Sequence, residues 1–153
     1  MTNFLTPVQE AALVAAIRQA EITTSGEIRV HLEAHCPTPE PLDRAAQVFA
    51  ELGMHRTAQR NGVLFYLAWQ DRQFAVIGDA AINAAVPDDF WEATKETVLA
   101  QFRQENYVDG LGRGVRMVGE QLQRFFPYDA ATDQNELDDS ISYGRPAGPP
   151  PGP

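Results

Sequence analysis

The chain has 153 residues, 44% of them apolar, which is one domain's length with material for a core; its single cysteine, Cys36, excludes an internal disulfide and a cysteine-rich zinc site. A formal net charge of −9, with the twelve Lys and Arg scattered, excludes the clustered basic surface that nucleic acid requires and makes cations the expected partners. The start, Met1-Thr2-Asn3-Phe4, has no basic n-region, and no run reaches the roughly 18–20 apolar residues of a membrane span, so a soluble, cytoplasmic protein without a membrane partner is expected.

Thr6-Pro7-Val8-Gln9 reads as a helix start: a hydroxyl N-cap, proline at the first helical position and Gln three residues after the cap. The helix runs to about Ala20, with Val8, Ala11, Leu13, Val14 and Ile17 as its packing stripe, and Thr23 to Gly26 breaks it. From Glu27 to Ala34, Ile28, Val30, Leu32 and Ala34 alternate with Arg29, His31 and Glu33, the pattern of a strand with one buried side and an exposed or loop-covered polar face. A second amphipathic helix, Asp43 to Leu52, packs through Ala46, Phe49, Ala50 and Leu52 and ends at Gly53.

Two apolar, β-branched and aromatic runs follow, Val63 to Trp69 and Gln73 to Ile77, joined by Gln70-Asp71-Arg72. They predict a central hairpin whose first strand is covered on both faces. Strand, helix and hairpin together predict a parallel crossover with an antiparallel second hairpin strand. Ala80 to Ala85 adds one or two helical turns. Pro87-Asp88-Asp89 opens a long helix with acids suited to its positive end, and Val108 to Phe126 carries apolar residues at intervals of four, three, four and three. After Pro127 the chain turns acidic and then Pro- and Gly-rich. The expected organisation is therefore a domain over 1–127 and a largely disordered tail over 128–153, with Leu137, Ile141 and Tyr143 as the residues able to anchor it.

Several clusters combine residue types that can carry chemistry. His31, Glu33 and His35 share a strand side at metal-ligand reach, but an ordinary polar face is the preferred reading. Gly110-Leu-Gly-Arg-Gly114 lacks the Lys-Ser/Thr and preceding strand of a phosphate loop, so close helix packing is expected there. Glu27, Asp79, Asp88 and Asp89 stand at the ends of predicted elements, where a hard cation held by several oxygens would fit.

Thr24-Ser25-Gly26-Glu27-Ile28-Arg29-Val30, Arg60-Asn61-Gly62-Val63-Leu64, Ile77-Gly78-Asp79, and Phe102-Arg103 with Tyr107, Gly110-Leu111 and Gly114-Val115 follow one another in an order that resembles the TPM domain over roughly Leu5 to Pro127. The resemblance implies a three-layer α/β/α, Rossmann-like fold with a small mixed sheet and helices on both faces. It also implies divalent-cation binding, calcium foremost with Mg2+ as the alternative, or the acid phosphatase activity proposed for plant members. The family's metal-associated acids lie in loops at one sheet edge, which here points to Asn61, Asp79, Asp88 and Asp89, with Glu27 nearby. Many members carry an acid before the Asn-Gly of the central strand. Arg60 stands there in this chain, which weakens a cation site or favours an anion. The string after the hairpin also departs from the family's Gly-Tyr-Gly-x-Glu-like pattern, and the family's common signal peptide and membrane anchor are not found. The leading expectation is a calcium-binding module of regulatory type. A phosphatase with Arg60 holding the phosphoryl oxygens and a scaffold docking a partner protein through the acidic tail are the alternatives.

Overall fold

A computed structural model describes residues 4–128 and 141–144. Helix α1 (Pro7–Glu21) begins with the predicted capping box: the Gln9 amide donates to Thr6 Oγ1 at 3.2 Å, and the Thr6 amide donates to Gln9 Oε1 at 2.9 Å. Its packing stripe is narrower than the spacing suggested. Leu13 and Ile17 are fully buried, while Val8 is exposed.

Strand β1 (Glu27–Glu33), helix α2 (Pro41–Glu51), strand β2 (Gly62–Ala68) and strand β3 (Gln73–Gly78) follow. Gly53 takes φ 72° just beyond α2, the left-handed conformation that a helix-ending glycine supplies without a Cβ clash. Helices α3 (Ala80–Ala85), α4 (Phe90–Phe102) and α5 (Tyr107–Phe125) complete the main body, and strand β4 (Ile141–Tyr143) closes the described chain.

The four strands form one mixed sheet in the order β3-β2-β1-β4. β1 runs parallel to both β2 and β4, and β2 and β3 are the predicted antiparallel hairpin. Side chains alternate across the pleat and so divide the core in two. Ile28, Val30, Leu32, Val63, Phe65, Leu67, Phe74 and Val76 join the buried residues of α1, α4 and α5 on one face. Leu64, Tyr66, Ala68 and Ala75 meet Ala45, Val48 and Phe49 of α2 on the other. The result is the expected three-layer α/β/α sandwich.

The glycines of α5 let it approach its neighbours. A Cβ on Gly114 would lie 2.7 Å from Val98 Cγ2 and 2.8 Å from the Phe65 ring, so the Gly110–Gly114 stretch is a packing surface, as expected.

Two expectations need correction. The polar side of β1 is not exposed: every residue of the strand is buried, because α2 turns Arg44 inward to meet it. The buried face of α2 is accordingly Arg44, Ala45, Val48 and Phe49, and Ala46 and Ala50 face solvent. Of the anchors expected in the tail, Ile141 and Tyr143 fall among the described residues. Ile141–Tyr143 adds a strand to β1, and Ile141 and Tyr143 pack on the larger core cluster. Residues 129–140 and 145–153, which carry the rest of the expected tail and Leu137, lie outside the described residues. No described helix is long and apolar enough to cross a membrane.

Candidate functional site

The edge where β1 and β2 begin and β3 ends gathers Glu27, Asn61 and Asp79 of the expected metal-site residues. Register places Glu27 opposite Gly62 and Gly78 opposite Val63, and the Asp79 amide donates to the Gly62 carbonyl at 2.9 Å. Glu27, Asn61 and Asp79 therefore come to the same edge through backbone pairing alone.

Asp79 caps α3, accepting from the Ala80 amide at 2.7 Å. Its two oxygens also accept from Arg60, Oδ2 from Nε and Oδ1 from Nη2, both at 2.7 Å. This is a bidentate, charge-assisted pair. The Asp79 side chain is 6% exposed, and that of Arg60 is 52% exposed. Burial alone would raise the Asp79 pKa. Hydrogen bonds from Arg60 and the Ala80 amide, with the charge of Arg60, outweigh it and hold the carboxyl below its ordinary value. The Arg60 backbone sits at φ 52°, a left-handed conformation costing a non-glycine residue about 1–2 kcal/mol. The Ala81 amide fixes that turn by donating to the Arg60 carbonyl at 3.0 Å.

Beside this pair, Asn61 donates through Nδ2 to Ser25 Oγ at 3.2 Å. Asn61 Oδ1 and Thr57 Oγ1 are buried and have no hydrogen-bond partner. Asp88 and Asp89, at the entry to α4, are exposed, and Asp89 occupies the N-cap position without a side-chain cap bond. Among the described residues no three His, Cys, Asp or Glu side chains converge as a metal cage would require. As a cation site this edge fits in part: it supplies oxygen donors of the right kind, but Arg60 already neutralises the principal carboxylate.

A second polar assembly lies beneath α2. Arg44 donates from Nε to Glu33 Oε2 at 2.9 Å and from Nη2 to Glu33 Oε1 at 3.0 Å. The Tyr66 hydroxyl donates to Glu33 Oε2, and His31 Nε2 lies 3.3 Å from Glu33 Oε1. On its other side His31 Nδ1 is 2.7 Å from Ser142 Oγ of β4. Burial would raise the Glu33 pKa, but the hydrogen bonds from His31, Arg44 and Tyr66 bring it down to about 2. The Tyr66 hydroxyl is pushed far up by burial and by its bond to Glu33, so it remains a donor.

Hydroxyl, imidazole and carboxylate stand in the order of a nucleophile relay. His31 is fully buried, however, and Glu33 is saturated by Arg44 and Tyr66. The row binds β4 to β1 and α2. His35 faces away, is exposed and pairs with Asp71 at 2.9 Å, so it does not join His31 and Glu33 at a metal. The sequence signal for this network was Arg44 beside Ala45, Val48 and Phe49, four residues on one helical face.

The TPM domain family model matches residues 1–121. The chain is similar to the BA42 protein of the psychrophilic bacterium Bizionia argentinensis, known from an NMR structure. The two are 44% identical over 94% of this chain and 98% of that one, with a TM-score of 0.85. The N-terminal domain of the cg2496 protein from Corynebacterium glutamicum is 16% identical over 92% of this chain and 81% of its own, with a TM-score of 0.63. The N-terminal domain of a protein from P. gingivalis is 22% identical over 80% and 78%, with a TM-score of 0.62. These two share the fold. No curated protein matches the chain.

Proposed function

The chain belongs to the TPM domain family, and from that premise we propose that it binds a divalent cation, Ca2+ ahead of Mg2+, at the edge formed by Asn61 and Asp79, as a binding or regulatory module. The observation that carries this reading is the state of Asp79. Its carboxylate is almost fully buried, held ionised, and balanced by a positive group whose own side chain is half in solvent. A guanidinium stands where a metal ion would.

Asn61 Oδ1 and Thr57 Oγ1, buried without partners, add oxygens of the class that hard cations accept. Glu27 belongs to the same edge. Asp88 and Asp89 are exposed at the start of α4 and are left out of the proposed ligand set. Binding exchanges one counter-charge for another, so the expected affinity is weak, with a Kd of about 0.1–1 mM. The phosphatase reading has less support: Arg60 is committed to Asp79, and both Asp79 oxygens are already hydrogen-bonded.

Isothermal titration with Ca2+ of the wild type, Arg60→Ser and Asp79→Asn tests the proposal. Removing the internal competitor is expected to tighten binding about tenfold, equivalent to roughly 1.4 kcal/mol, while Asp79→Asn is expected to abolish it. Absence of binding heat in both the wild type and Arg60→Ser at millimolar calcium would remove the proposal.

A further inference from the structure

The opposite edge of the sheet, where β2 ends and β3 begins, carries a concavity. Ligands of open α/β sheets bind outside the carboxyl ends of parallel strands. This cavity of about 190 Å3 lies beyond the end of β2, between the hairpin turn and the junction of α4 with α5. Its walls are Leu67, Trp69, Phe74, Leu99, Phe102 and Tyr107, and its lining is completed by two arginines, Arg72 and Arg103.

The aromatic walls brace one another. Phe74 and Phe102 meet edge to face at 5.4 Å, and Phe102 and Tyr107 lie 5.2 Å apart. Behind them Phe4 stacks on Trp69 at 4.8 Å and meets Tyr107 edge-on at 5.1 Å. Such mutual packing fixes ring orientations before any ligand arrives and offers faces and edges to a further ring.

Two features of the arginines point to an anion. Arg72 makes no ion pair among the described residues, and its neighbour Asp71 is turned to His35 and the Cys36 amide. Among the described residues the Arg103 guanidinium pairs with the exposed Glu96 alone, at 3.8 Å. A chain of net charge −9 thus places two lightly engaged guanidinium groups at one apolar hollow. Arg72 also takes φ 56° in the hairpin turn, where glycine or asparagine would sit with less strain. The residue type there is not the one that turn geometry favours.

From these observations we infer that the hollow is a binding site for a small monocyclic aromatic acid. The ring inserts among Trp69, Phe102 and Tyr107, and the carboxylate meets Arg72 and Arg103 at the mouth. The volume suits one ring with a short chain, since an apolar cavity of about 150 Å3 holds benzene. Guanidinium groups match the carboxylate by bidentate, charge-assisted hydrogen bonds. The site is independent of the Asp79 edge and needs no metal.

The test is an NMR titration of the full chain with phenylacetate, following the indole N–H of Trp69, with that of Trp91 as internal control. Benzyl alcohol and 2-phenylethylamine serve as neutral and cationic counterparts. Phenylacetate is expected to move Trp69 and not Trp91, with a Kd of about 1 mM or tighter. The alcohol is expected to bind about tenfold more weakly and the amine more weakly still. Arg72→Gln combined with Arg103→Gln changes two exposed side chains and so keeps the fold, and it is expected to erase the preference for the acid. The inference is overturned if acid and alcohol bind equally well, if the double variant keeps the preference, if the shifts map away from Trp69, or if phenylacetate produces none at about 20 mM.

Discussion

Replacing Glu33 with glutamine keeps the side chain's volume and removes its charge, and the structure sets the expected cost. On folding the Glu33 pKa falls from 4.5 to about 2, because hydrogen bonds from His31, Arg44 and Tyr66 outweigh burial. A fall of that size corresponds to roughly 3 kcal/mol in favour of the folded state at neutral pH. The substitution also leaves Arg44, only 8% exposed, without its counter-charge. Breaking a buried pair from one side costs about 3–5 kcal/mol. Glu33→Gln is thus expected to lose about 3–4 kcal/mol and to melt about 10 °C lower.

The pH dependence follows from the sign of the shift. A folded pKa below the unfolded one gives stability that is complete above pH 4.5 and is lost as pH falls toward 2. Urea unfolding at pH 7 and again near pH 3 measures both effects, with the gap between wild type and variant narrowing in acid. Glu33→Met combined with Arg44→Met removes both charges and is expected to recover more than half of the loss. A cost under about 1 kcal/mol at pH 7, or a gap that does not narrow, would refute the account of this network.

Gly114→Ala sets a gain in helix propensity of up to about 1 kcal/mol against a Cβ placed 2.7 Å from Val98 and 2.8 Å from Phe65, both fully buried. The clash is expected to win by about 1–2 kcal/mol in thermal or urea unfolding. Ser142→Ala leaves His31 Nδ1 without its 2.7 Å partner in a fully buried ring and is expected to loosen β4. Hydrogen exchange at the Gly144 amide, which donates to the Leu32 carbonyl at 2.6 Å, should speed up about tenfold or more while β2 amides stay protected.

Much of the fold was legible because local chemistry and periodicity agreed. The Thr6 capping box, the β2-β3 hairpin and Gly53 each carry a signal within a few residues. The polar face of β1 was not legible, because alternation separates two sides of a strand but cannot tell water from a partner. Here the partner is Arg44, eleven residues beyond Glu33. β4 was hidden for a related reason. Three residues have no periodicity to read, and what holds them is contact across the fold, Ser142 with His31 and the Tyr143 hydroxyl with Glu10.

The candidate edge was partly legible. Arg60 stood out as a misfit for a cation site, and the hairpin placed Asp79 near Asn61. The pairing of Arg60 with Asp79 depends on the left-handed turn at Arg60, which composition does not announce. Asp88 and Asp89, close to Asp79 in sequence, are exposed at the start of α4, and nearness in sequence does not by itself bring them to Asp79.

On the proposed reading, Arg60 occupies the place of a divalent ion beside Asp79. A crystal structure of Arg60→Ser grown in calcium, with anomalous scattering recorded, tests it most directly. The expected result is an anomalous peak bonded to Asp79 and Asn61 Oδ1 at the roughly 2.3–2.6 Å typical of calcium ligands. An Asp79 carboxylate bound only to the Ala80 amide and water, with no peak at that edge, would rule out a cation there.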